Sequence, residues 1–158
     1  MQELLARKKE IDRLYREAKA MEFTVNAAAQ DTIDKAFAAL DDVIDHVGED
    51  FGPFHTGNVG LITLSRCGAS EHLLWSLQIN LPTVSPVIYT KQNGKWASRM
   101  ITSEQKIRTA ETIISYWPRF MELVRAEIEK RIKTDMKKKL DEVGRMVDFL
   151  QRAEKFKI

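Results

Sequence analysis

The sequence predicts an α+β protein in which long N-terminal and C-terminal helical arms flank a small antiparallel four-stranded β-meander. Three observations carry that expectation. Nine of the eleven Gly and Pro residues fall between positions 48 and 94, which leaves both ends almost free of helix breakers. Apolar residues recur at helical spacing in the ends and at a period of two in the middle. Asn93-Gly94, a strong hairpin signal, sits between two strand-like runs.

The first arm, residues 1–47, carries Leu4, Ile11, Ala18 and Val25 at seven-residue steps, with Leu14, Met21 and Ala28 between them. That is a narrow seam of the kind that pairs helices. After Gln30 the rows become Ile33, Leu40 and Val47, then Phe37, Ile44 and Phe51. Such a shift reads either as a stutter in one helix or as a break near Phe23-Thr24-Val25-Asn26, where helix propensity is poor. Gly48 and Gly52-Pro53 end the arm.

The meander is expected over residues 58–101. Leu73, Trp75, Leu77, Ile79 and Leu81 alternate with Ser76, Gln78 and Asn80, the pattern of a strand with one buried face. Val59 to Ser65 forms the preceding strand, and Arg66-Cys67-Gly68-Ala69-Ser70 the turn between them. Val87 to Lys91 and Lys95 to Met100 form the closing hairpin. An apolar sheet face needs a helical cover.

The second arm, residues 103–157, opens with Thr102-Ser103-Glu104-Gln105, a capping box. Pro118 removes one amide donor and is expected to kink the helix or break it. Beyond it runs the stripe Met121, Val124, Ile128, Ile132, Met136, Leu140, Val143, Val147 and Leu150. The arm is too long for a compact single domain of 158 residues to hide, so its stripe calls for a partner. Val124, Ile128, Ile132, Met136 and Leu140 are the expected partner-binding residues.

Hydrophobic residues at 44% and charged residues at 30% belong to a folded chain. The net charge of +2 is unevenly spread: residues 22–50 hold eight acids against Lys35 alone, and residues 119–158 hold twelve bases against eight acids. An acidic and a basic arm suit side-by-side pairing, within one molecule or between molecules; the plainer reading is two solvated faces. The single cysteine, Cys67, excludes an intramolecular disulfide. No run approaches the roughly 20 apolar residues of a membrane span, and the start lacks the apolar core of a signal peptide. A cytoplasmic setting is expected.

Chemistry-bearing patterns are sparse. Lys91, Lys95, Trp96 and Arg99 on the hairpin, with Arg131 and Lys138 on the second arm, form a candidate nucleic-acid surface. The plainer reading is edge protection by lysine, a buried tryptophan and a solvated helix face laced by i,i+4 pairs such as Asp148–Arg152. Asp42, Asp45, His46 and Glu49 have metal-ligand types, yet no metal-binding spacing. No carboxylates gather on the strands, so a metal-dependent hydrolase ranks third among the readings. Cys67 with His55 or His72 lacks any oxyanion-hole motif. No catalytic, metal or cofactor residues are therefore assigned.

The order helix, strands, helix resembles the general layout of prefoldin-type chaperone subunits, which implies a chaperone-like role. The expected function is a non-enzymatic interaction or assembly module of adaptor, chaperone or inhibitor type. It would form homo-oligomers through paired helical arms and the hairpin tip, a plain design that suits a phage or mobile-element protein. Nucleic-acid binding is the alternative.

Overall fold

The computed structural model describes residues 1–47, 51–68 and 73–156. Gly48, Glu49, Ala69, Ser70 and His72, named above for a helix end, a metal set, a turn and a catalytic base, lie outside the described residues. Two long helices flank one antiparallel sheet, and the class is α+β. Helix α1 runs unbroken over Gln2–Ile44, and helix α2 over Ser103–Lys155. At 1.5 Å per residue they measure about 65 and 80 Å.

The sheet is a meander of five strands in sequential order, β1 Phe54–His55, β2 Ile62–Cys67, β3 Leu74–Ile79, β4 Val87–Gln92 and β5 Lys95–Ser98. Its inward face stacks Ile62 opposite Ile79, Leu64 opposite Leu77 opposite Tyr89, and Arg66 opposite Trp75. The outward face carries Thr63, Ser65, Ser76, Gln78 and Thr90, as the period-two pattern requires. Asn93 and Gly94 both have positive φ, 51° and 77°, the conformation of a type I′ hairpin turn.

Two alternatives are resolved and one expectation is corrected. Phe23-Thr24-Val25-Asn26 does not break α1; the Thr24 hydroxyl donates to the carbonyl of Ala20 and stays within the helix. Pro118 does not break α2 either. It lies on the exposed face, where water can satisfy the carbonyl of Ile114 that lost its donor, while Phe120 and Met121 beside it are locked in the core. The correction is the strand count. Phe54 and His55 pair with Arg66 and Ser65 to add a strand ahead of the expected four.

That short strand redirects the molecule. In a meander each strand reverses the chain. After an even number the second helix would start where the first ended and run back along it. After five strands it starts at the opposite end and runs parallel. Contacts agree: the Asn26 side chain donates to the hydroxyl of Ser103, at the start of α2 (3.3 Å), whereas Phe51, just past α1, lies under the guanidinium of Arg131 (5.5 Å). The helices therefore lie parallel and staggered. Residues 29–44 of α1 and 109–128 of α2 close the core with the sheet.

Candidate functional site

The stagger leaves two arms outside the core. Residues 2–25 of α1 extend past the start of α2, and residues 132–155 of α2 extend past the end of α1, in the opposite direction. Of the arrangements left open, packing side by side within one molecule holds for the parts of the two helices in the body; the projecting parts leave it from opposite ends. The described part of the acidic stretch, residues 22–47, belongs mainly to the body and does not form a projecting arm.

Each arm carries the apolar row onward from the part that is buried, its spacing turning heptad-like. On α1 the core row Ala29, Ile33, Ala36, Leu40 and Ile44 continues backward as Val25, Met21, Leu14, Ile11 and Leu4, all exposed in a lone chain; Leu14 keeps 51% of its surface. On α2 the stripe crosses from core to solvent within a few residues. Val124 is 0% and Ile128 5% exposed, Ile132 38% and Leu140 65%, with Met136, Val143, Val147 and Leu150 equally open. Of the expected partner-binding residues, Val124 and Ile128 thus fill the chain's own core, and Ile132, Met136 and Leu140 stand free of it. The sheet sets the limit, because six-residue strands span only about 20 Å and cannot cover an 80 Å helix.

Continuity with buried helix spares the arms a nucleation step. Exposed ion pairs then support them locally: Arg13 with Glu17, Lys133 with Glu129 (3.3 Å) and Arg152 with Asp148 (3.2 Å), each worth about 0.3–0.5 kcal/mol.

The candidate nucleic-acid residues do not form one surface. Lys91 and Trp96 turn inward onto α1, where the Lys91 ammonium and the Trp96 indole N–H both donate to Oδ1 of Asp41 at 2.8 Å. Asp45 lies 3.5 Å from the same ammonium. Phe37 stacks on Trp96 (5.1 Å between ring centres) and meets Tyr89 edge-on (4.8 Å). Lys95 and Arg99 remain exposed on the hairpin. Arg131 spreads over Phe51, and Lys138 lines a shallow hollow that also holds Glu127 and Asp135. Asp41 is the residue that sequence reasoning missed. It was counted with the acidic stretch, yet its place between the core residues Leu40 and Ile44 marks it as an acid at the edge of a buried stripe.

Burial, with a smaller contribution from the nearby Asp34 carboxylate, pushes the Tyr89 hydroxyl up to about 12. Cys67 is exposed, and His55 Nδ1 accepts from the backbone N–H of Gly57 at 2.9 Å. Among the described residues no three His, Cys, Asp or Glu side chains gather as a metal site, and no helix is long and apolar enough to cross a membrane. Comparisons with protein-family models, curated proteins and solved structures return no match to this chain.

Proposed function

We propose that this chain is a non-enzymatic assembly module whose working surfaces are the apolar seams of its two projecting helical arms. One observation carries the reading: the apolar stripe that builds the core runs on at helical spacing for more than three turns beyond the core at both ends. A solvated helix has no use for such a stripe, whereas a helix that receives a partner does. Covering a Leu, Ile or Val side chain contributes about 1.5–3 kcal/mol. Two short seams therefore supply on the order of 10 kcal/mol before association costs of similar size are subtracted. Weak, concentration-dependent or multivalent pairing follows from those magnitudes.

Nucleic-acid binding has less support, because Lys91 and Trp96 are already engaged by Asp41 and Phe37.

The test compares the wild-type chain with a variant carrying Leu14→Glu and Leu140→Glu. Mass in solution and capture of proteins from the native cell are both measured. The reading expects self-association, a captured protein, or both, each lost in the variant. A wild-type monomer of 18.2 kDa that captures nothing beyond what the variant captures would sink it.

A further inference from the structure

Resting on that assembly reading, we infer that the occupant of each arm is a second copy of this chain, joined head to tail: the N-terminal arm of one copy lies parallel along the C-terminal arm of the next.

The direction comes from the fold. The two helices already pack in parallel within the body, and their arms leave at opposite ends. Sliding one copy along the long axis brings its N-terminal arm beside its neighbour's C-terminal arm, in the relative orientation that the body uses. The lengths agree. The seam from Leu4 to Val25 covers about 32 Å and that from Ile132 to Leu150 about 27 Å at 1.5 Å per residue.

The spacing agrees as well. From Arg7 the first seam steps by four, three, four and three to Met21, and from Met136 the second steps by four, three, four and three to Leu150. In that register Ile11 meets Leu140, Leu14 meets Val143, Ala18 meets Val147 and Met21 meets Leu150, four successive layers of a parallel pair, with Arg7 beside Met136 at its edge.

Two alternatives fit less well. Pairing both arms at once with a single inverted partner would lay the bodies side by side. The outer faces of the body helices are polar there, with Asp31, Asp34, Lys35, Glu111 and Glu122 exposed. Pairing like with like sets two C-terminal arms together, each holding nine bases against six acids over residues 129–156. The N-terminal arm, with six against five over residues 1–25, is the less repulsive neighbour.

A head-to-tail contact is heterologous, so it propagates into a chain or closes into a ring. Each copy uses one arm to hold its predecessor and the other to hold its successor.

The experiment uses two full-length variants, one with Ile11→Glu and Leu14→Glu, the other with Leu140→Glu and Val143→Glu. All four positions are exposed in a lone chain, so both variants should keep the wild-type far-UV spectrum and denaturation midpoint at low concentration. Masses are read by sedimentation at high micromolar concentration. The expected result is wild-type mass rising past a dimer with concentration, each variant alone at 18.2 kDa, and their equimolar mixture at twice that mass, since one intact arm of each kind remains.

A dimer formed by either variant alone overturns the inference in favour of like-with-like pairing. A mixture that stays monomeric while the wild type associates overturns it too. A strictly monomeric wild type removes self-pairing; if it still captures another protein through its arms, only this inference falls and the assembly reading stands.

Discussion

The two halves of helix α2 carry apolar stripes of similar spacing in opposite circumstances. In the first half Ala110, Ile113, Phe120, Met121, Val124 and Ile128 are sealed in the core. Between Met136 and Leu150 the same kinds of side chain, at similar spacing, face solvent. Phe120 and Leu140 stand twenty residues apart on one continuous helix, yet the first is fully buried and the second mostly open. Helical periodicity marks a face that seeks cover; it does not say whether the chain itself supplies the cover. The sheet reaches only part of the way along the helix, and the remaining length is what the molecule offers outward.

The sharpest way to break this comparison is to delete a side chain from the sealed half. Phe120→Ala removes a ring in contact with the core and with Trp117, at 5.1 Å between ring centres. It should cost about 3–5 kcal/mol in urea denaturation. A loss under 1 kcal/mol would mean that the body is not the cooperative unit described here.

Gly60→Ala comes next. Gly60 has φ +60°, and a Cβ there would stand 2.2 Å from the Tyr116 ring, so the turn before β2 and the centre of α2 would have to separate. A cost of about 2 kcal/mol or more is expected, combining left-handed strain with the clash. Shortening Tyr116 to Ala in the same chain should recover only the clash portion.

Asp41→Ala tests how the hairpin is held. It leaves the Lys91 ammonium and the Trp96 indole without their shared acceptor. A loss of about 1–3 kcal/mol is expected, and Asp41→Asn should recover part of it through the indole bond. Tryptophan fluorescence would report the change at Trp96 directly.

The body should also carry an alkaline transition that the arms lack. The Tyr89 hydroxyl is held neutral in the core, its pKa raised from 10 to about 12. A group whose folded pKa is raised contributes stability that is complete below its unfolded value and lost as pH climbs through the folded one. Stability should therefore fall between about pH 10 and pH 12. Tyr89→Phe should remove that slope while leaving the neutral-pH arms and their helicity untouched; an unchanged slope would assign it elsewhere.

The smallest effect belongs to the open half. Leu140→Ala should shift the stability of the lone chain by no more than about 0.5 kcal/mol, because its side chain is already in water. A large loss measured at low concentration would show that the arm is covered by its own chain.

Much of this was legible in the sequence because it is local. The capping box forms as its residues dictate: the Gln105 amide N–H donates to the Thr102 hydroxyl, and the Thr102 amide N–H to the Gln105 side chain. Asn93-Gly94 makes its turn, and the alternation through Trp75, Leu77 and Ile79 faces the core. Trp75, Trp96 and Trp117, one each on β3, β5 and α2, all pack on the core. Other features depend on what lies opposite and could not be read in advance. Lys91 looks like a free basic side chain until Asp41 is found fifty residues away, and Val124 looks like part of an open seam until the core closes over it.

The sequence by itself determined that there would be two long helices with apolar stripes, a hairpin at Asn93-Gly94 and a sheet with one greasy face. Period, capping and turn chemistry act over a few residues and need no knowledge of the whole. Only the tertiary structure decided where the stripes would go uncovered and which way each arm would point. The reason is topological: two residues, Phe54 and His55, pair with β2 and make the number of strands odd. An odd meander delivers the chain to the far end of the body, so the second helix sets out parallel to the first and the arms part.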